Sequence, residues 1–198
     1  MMLVLATQNP KKLKEMNEIL SHLGVEVVSE AELGVRIEVE ETGETFTDNA
    51  RLKATAVMQA TGLPAVADDS GLCVDALNGG PGVYSARFGG EGLDDKGRYT
   101  LLLEMLRGQT DRAAHFHTSI VCAFPNGDEL VCEGECPGTI AFAPMGEGGF
   151  GYDPVFFVPE LRKTFGQLTA EEKASVSHRG KALRTFAAAL DDYLKGNE

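Results

Sequence analysis

The chain has 198 residues, 43% of them hydrophobic, and a formal net charge of −12 at neutral pH. That length fits one domain, or two lobes sharing a core, and the apolar content allows a sizeable interior. A pI near 4.8 with no basic stripe argues against duplex DNA or RNA as a partner, and no apolar run approaches the roughly 20 residues of a bilayer span.

The amino terminus has no basic region leading into a long apolar segment and cleavage site, so no secretory signal is expected. Cys73, Cys122, Cys132 and Cys136 form no C-x-x-C pair, which points to reduced core thiols in a cytoplasmic protein. A free nucleotide is compatible with the acidic balance. It arrives complexed with Mg²⁺, which carboxylates can hold while a few lysines hold phosphate oxygens.

In chain order, residues 2–6 are a compact apolar run suited to a buried strand. Thr7-Gln8-Asn9-Pro10-Lys11-Lys12 follows, and Leu13, Met16, Ile19, Leu20 and Leu23 then recur at helical spacing. Asn9 can cap that helix and Pro10 suits its first turn. The free amides of the helix start, with lysines beside them, would form an anion site; a plain capped helix with exposed lysines is the alternative. Residues 25–29 can be a second strand. After Glu40-Glu41-Thr42-Gly43, a helix is expected from Asp48 to Thr61, capped by Thr45 or Thr47 and closed by Gly62. Asn49 and Lys53, four apart, share one of its faces, from which Lys53 could reach a phosphate or simply solvent.

Residues 64–67 form a short small-apolar run ending in Asp68-Asp69-Ser70-Gly71. A buried strand delivers acids to its carboxyl edge in this way, where ligands bind in open α/β sheets. Adjacent strand side chains point to opposite faces, so Asp68 and Asp69 need not share one job. Ser70 has no His within its motif to activate it, so hydrogen bonding suits it better than nucleophilic attack.

Asp94 or Asp95 starts a helix through Leu106. Residues 113–124 alternate as a half-exposed strand, Asn126-Gly127-Asp128 signals a hairpin, and residues 129–136 return. His115 and His117 face one side of that strand but lack a third ligand at zinc spacing. Residues 139–142 look like another strand. The glycine-rich Gly146-Glu147-Gly148-Gly149-Phe150-Gly151-Tyr152-Asp153-Pro154 leads into apolar residues 155–158. Its glycines would let backbone approach a ligand closely, and its aromatics could stack on a base. No Walker pattern is present. Thr169-Ala170-Glu171-Glu172 is a capping box opening a helix that carries Lys173 and runs towards Ser177-His178-Arg179-Gly180. Residues 180–194 form a closing helix.

Taken in order, Thr7-Gln8-Asn9-Pro10-Lys11-Lys12, Glu40-Glu41-Thr42-Gly43, Asp68-Asp69-Ser70-Gly71, Phe150-Gly151-Tyr152-Asp153 and Ser177-His178-Arg179 closely resemble the inosine/xanthosine triphosphate pyrophosphatases. The likeness spans almost the whole chain. One departure is visible: the family's first loop usually reads Thr-Gly-Asn, and Gln8 stands at the glycine. If that position needs a positive φ, glutamine is strained there.

The resemblance implies an α/β fold whose elongated mixed β-sheet is flanked by helices, with two lobes and a central nucleotide-binding groove, spanning residues 1–198 as a single domain. It implies hydrolysis of ITP, dITP or XTP to the monophosphate and pyrophosphate, with Mg²⁺ as cofactor and Mn²⁺ able to substitute. Glu40 and Asp69 would bind the metal, Asp69 also serving as the catalytic base, with Glu41 and Asp68 supporting them. Thr7, Asn9, Lys12, Lys53 and Lys173 would hold the triphosphate, with Gln8, Pro10, Lys11 and Ser70 also among the substrate-binding residues. Phe150 and Tyr152 would pack on the purine, with Gly151 between them also substrate-binding, while Asp153, His178 and Arg179 read its edge. Free purine triphosphates are the expected partners, in a cytoplasmic homodimer with no membrane or nucleic-acid polymer. A Maf-type pyrophosphatase acting on dTTP or modified pyrimidines, and a non-catalytic nucleotide sensor, are the alternatives.

Overall fold

The first strand, β1 (Met2–Leu5), is short, and three of its four residues are buried. It pairs in parallel with β2 (Glu26–Ser29) and with β3 (Ala65–Val74). This computed structural model describes residues 1–7, 9–90 and 92–196, the side chains of Pro10 and Lys11 lying outside that description. Gln8, the departure from the family loop, also lies outside the described residues.

Among the described residues, seven strands form one mixed sheet in the order β2-β1-β3-β4-β5-β6-β7, with β4 at Ala113–Ala123, β5 at Glu129–Ile140, β6 at Phe156–Val158 and β7 at Lys163–Thr164. The β5–β6 and β6–β7 pairs are antiparallel. Helices flank the sheet: α1 (Pro10–Leu20), α2 (Phe46–Thr61), α3 (Asp95–Met105), α4 (Ala170–Val176) and α5 (His178–Gly196). The α/β expectation with a mixed sheet and flanking helices therefore holds.

Local chemistry explains the helix starts. Thr45 Oγ1 accepts from the Asp48 amide, Asp94 does the same for Gly97, and Thr169 with Glu172 forms a reciprocal capping box. Each satisfies an amide that a helix leaves unpaired in its first turn.

Among the boundaries that differ from the sequence expectation, three bear on the site. First, β3 does not end at the acids but runs through them to Val74. The edge that matters belongs to β1, which stops at Leu5 opposite Val66, so Asp68 and Asp69 project beyond their shorter neighbour. Second, the two strands expected at 129–136 and 139–142 are one, β5. Because β6 pairs with β5 only at Thr139 and Ile140, Pro137 removes no bond to β6. Third, α5 starts at His178 rather than 180. Ser177 Oγ accepts from the Gly180 amide at 3.1 Å, a cap that draws His178 and Arg179 into the first turn.

The chain divides into two compact units. Unit 1 comprises Met1–Asp69, Thr118–Gly134 and Lys181–Glu198. Its main core packs Leu3, Leu5, Met16 and Leu20 against Ile120, Cys122, Phe186 and Leu190. Unit 2 comprises Ser70–His117 and Glu135–Gly180. Its core gathers Leu72, Leu102, Leu106, Tyr152, Phe156 and Phe165, with Phe116 and Phe156 in an edge-on contact at 4.6 Å between ring centroids. All four cysteines are free thiols, and Cys122, Cys132 and Cys136 are buried. No helix among the described residues is long and apolar enough to cross a membrane.

Phe186 on α5 is fully buried. Phe186→Ala should cost about 3–5 kcal/mol in urea denaturation. Gln59→Ala, on the exposed side of α2, should stay within about 0.5 kcal/mol of the parent.

Candidate active site

Alternation along β3 gives the two acids separate environments in unit 1. Asp68 is 4% exposed, and its Oδ2 pairs with Lys12 Nζ of α1 at 2.8 Å. Asp69 is half-buried and takes its partners from α2 instead. Its Oδ1 faces Lys53 Nζ at 3.4 Å, and its Oδ2 accepts from Asn49 Nδ2 at 3.3 Å.

Lys53 ties this cluster together. Its ammonium donates to Glu41 Oε1 at 2.8 Å and to the Asp68 carbonyl at 2.9 Å, besides facing Asp69. Burial works against the charged lysine, but Asp69, Glu41 and Asp68 outweigh it and hold its pKa above the usual value. Burial likewise pushes the Asp69 carboxyl upward; the Lys53 charge pulls against this, and the Glu41 carboxylate adds to it.

Glu40, expected as a metal ligand, is exposed and makes no ion pair or side-chain hydrogen bond among the described residues. Its neighbour Glu41, expected only in support, is the carboxylate that shares a cation with Asp69. Asn9 precedes α1, where its carbonyl accepts from the amides of Lys12 and Leu13. The Asn9 amide donates to Thr7 Oγ1 at 3.2 Å. Thr7, Lys53, Glu30, Glu38 and Val57 help line a cavity of about 280 Å³ in this unit.

In unit 2 the glycine-rich segment is organised by a buried acid. Asp153, 3% exposed, accepts from the Phe150 amide at 2.9 Å through Oδ2. The same oxygen accepts from Lys173 Nζ of α4. Burial raises its pKa, and the Lys173 charge opposes that rise. Gly149, with φ of +80°, passes so close that a Cβ there would lie 1.9 Å from Asp153 Oδ2, so glycine is required. Gly151 donates its amide to Asp95 Oδ2 at 2.7 Å. Phe150 is 69% exposed, with Lys173 Nζ 4.5 Å from its ring centroid.

Tyr152 departs from its expected place against a base. It is 5% exposed within the unit 2 core. Its hydroxyl donates to the Ser85 carbonyl at 2.8 Å, while Ser85 Oγ donates to the Gly82 carbonyl and accepts from the Leu72 amide. Burial pushes the Tyr152 pKa up to about 12. Of the two aromatics in the motif, only Phe150 offers a free face. His178 stacks on Phe116 at 4.7 Å, and Arg179 beside it is half-buried, as is Ser70 on β3.

Sequence reasoning placed none of Asn49, Ser85 and Asp95 at the site, reading Asp95 only as a candidate helix start. For Asn49 a signal existed: it shares a helical row with Lys53 and Val57, and a row ending in a core valine faces inward.

A model of the Ham1 family matches residues 3–189. The chain belongs to the Ham1 family. It is 50% identical over 196 residues to the dITP/XTP pyrophosphatase of Exiguobacterium sp., covering 99% of this chain and 100% of that protein. It is 54% identical over 193 residues to the dITP/XTP pyrophosphatase of Desulforamulus reducens, covering 96% of each. Among solved structures, a HAM1 protein from Coxiella burnetii aligns with a TM-score of 0.93 at 43% identity, over 97% of this chain and 99% of that one. The Ham1 fold thus accounts for both units and for the strand that carries the acid pair.

Tyr152→Phe should lower the unfolding free energy by about 1 kcal/mol, because it strands a buried carbonyl. Phe150→Ala should cost less than half of that. Parallel urea melts check the pair, and equal losses would contradict the separate placement of these two rings.

Proposed function

We propose that the chain is a nucleoside triphosphate pyrophosphatase that hydrolyses non-canonical purine triphosphates, namely ITP, dITP and XTP, to the monophosphate and pyrophosphate. The observation that carries this is near-full-length identity of 50% and 54% to dITP/XTP pyrophosphatases. The acid and lysine cluster of unit 1 supports it chemically. Phosphoryl transfer gives a protein little covalent work, so catalysis rests on positioning and charge neutralisation. The cluster supplies both.

The residues present fit a divalent cation. Glu41, Asp69 and the Asp68 carbonyl already surround one positive charge, that of Lys53, and they are the hard oxygen donors that Mg²⁺ prefers. Asp69 and Glu41 would hold it, with exposed Glu40 beside them as the further ligand implied by the motif. When bound, Mg²⁺ or Mn²⁺ neutralises phosphate charge and acidifies water.

The chain's own groups do the remaining work. Asp69 orients a water and accepts its proton as the oxygen bonds to the α-phosphorus and the α–β bridging bond breaks. Thr7, Asn9, Lys12, Lys53 and Lys173 hold the phosphates, with Gln8, Pro10, Lys11 and Ser70 assigned to the same task by their motifs. Phe150 offers its exposed face to the purine, with Gly151 allowing close backbone approach. Arg179, His178 and Asp153 are assigned to the base edge. A donor such as Arg179 suits the 6-oxo group of hypoxanthine and xanthine but faces the amino group of adenine unpaired. Sites built on such bonds reject a mismatched analogue by roughly 10⁴-fold. The full chain acts as a single catalytic domain, in a cytoplasmic homodimer working on free nucleotides.

Incubation with ITP and Mg²⁺ should yield IMP and pyrophosphate on anion-exchange chromatography; accumulating IDP and orthophosphate would overturn the reaction. Excess EDTA after dialysis should abolish turnover, and added Mg²⁺ or Mn²⁺ should restore it. Asp69→Asn should lower the single-turnover rate by about 10²–10⁴ through loss of the base, with Asp68→Asn the milder change. The reverse order would show that the roles of the two acids are exchanged.

A further inference from the structure

We propose that Asn49 is a positioning residue that fixes the Asp69 carboxylate and ties it to the Glu40-Glu41-Thr42-Gly43 turn. The inference rests on Asp69 acting in the hydrolysis proposed above. Asn49 lies in the first turn of α2 and is fully buried. Burying an amide is costly unless both ends are hydrogen-bonded, and here both are. Asn49 Oδ1 accepts from the Gly43 amide at 2.8 Å, while Nδ2 donates to Asp69 Oδ2 at 3.3 Å. The orientation is forced: a flipped amide would turn its NH₂ towards an N–H and its carbonyl towards a carboxylate, losing both bonds.

The consequence for Asp69 is a divided carboxylate. Its Oδ2 is held by Asn49, leaving Oδ1 towards Lys53. A neutral donor fixes the plane of the group without cancelling its charge, as a second cation would. The consequence for the turn is equally specific. A Cβ on Gly43 would lie 2.7 Å from Asn49 Oδ1 and 2.7 Å from Asp48 Cβ, so the glycine of this motif is what lets the amide approach. Glu41 and Asp69 come from segments far apart in sequence, and Asn49 is hydrogen-bonded to Asp69 itself and to Gly43, two residues after Glu41.

Asn49→Asp separates the two bonds: it keeps the acceptor for Gly43 but replaces the donor to Asp69 with a like-charged oxygen. With ITP and Mg²⁺, kcat should fall by about 10- to 100-fold, the scale of loss when a reacting group is misplaced by around 1 Å, while KM changes less than about threefold. The deciding measurement is the double-mutant cycle with Asp69→Asn, in single turnover at high enzyme concentration. If Asn49 acts through Asp69, Asn49→Asp should add almost nothing to the loss in the Asp69→Asn background. An equal loss in both backgrounds, or an unchanged kcat in the single variant, overturns the proposal. Should Asn49→Asp fail to fold by circular dichroism, Asn49→Ser, which is smaller and neutral, goes through the same cycle with the same criteria. Wild-type protein that does not release pyrophosphate from ITP would instead refute the hydrolysis itself, so the two failures are distinct.

Discussion

One ammonium holds the acid cluster together. Lys53 reaches Glu41, Asp69 and the main chain of Asp68 at once, and without it the two carboxylates would lose the counter-charge they share. Removing one partner of a buried ion pair is strongly destabilising because the other charge is left uncompensated. Apolar residues of similar volume would serve stability as well or better. Keeping the charges therefore makes sense chiefly as chemistry. The fold meets the demand with a short β1, which exposes the middle of β3, and with α2, whose first two turns present Asn49 and Lys53 to the same acid.

Unit 2 repeats this arrangement with different residues. Asp153 is buried and raised in pKa, and a lysine from the following helix, Lys173, is its counter-ion. In unit 1 the acid sits beside further oxygens and so suits a cation. In unit 2 the acid also takes the Phe150 amide, and the lysine also faces an aromatic ring. The first arrangement concentrates donor oxygens; the second shapes a glycine-rich turn and leaves Phe150 displayed. A shared physical device thus serves two ends, and the neighbours decide which.

Much of this was legible before any coordinates. The strand-loop-helix start, a threonine cap at Thr45 or Thr47, the capping box at Thr169 and the hairpin at Asn126 are local signals, and local signals fix local structure. What escaped was set by neighbours distant in sequence. The end of β3 could not be read from the acids because the relevant edge belongs to β1. The strands expected at 129–136 and 139–142 are one, β5, and Pro137 sits within it because a proline interrupts a strand only where a partner needs its amide. Tyr152 looked like a platform for a base because aromatics among glycines often are. Its hydroxyl instead belongs to Ser85, more than sixty residues away in the chain. The sequence shows Asn49 only on a helix face with Lys53, and it is the fold that brings Gly43 and Asp69 to its two ends.

The charge balance gains meaning from these pairings. A chain with a net charge of −12 should repel a polyanion, and general attraction by the whole surface cannot be how such a substrate is held. The lysines assigned to phosphate are not idle charges either. Lys12 is paired with Asp68, Lys53 with Glu41 and Asp69, and Lys173 with Asp153. Each is already ordered by its carboxylate, so less side-chain entropy remains to be lost when it turns to a phosphate oxygen. The exchange also has a condition: a lysine that leaves its carboxylate strands a buried negative charge unless another positive charge replaces it. On the proposed assignment of Lys12 and Lys53 to phosphate, anion binding in unit 1 would be linked to cation binding there, and a bare triphosphate would be a poorer match than one that carries its own counter-charge.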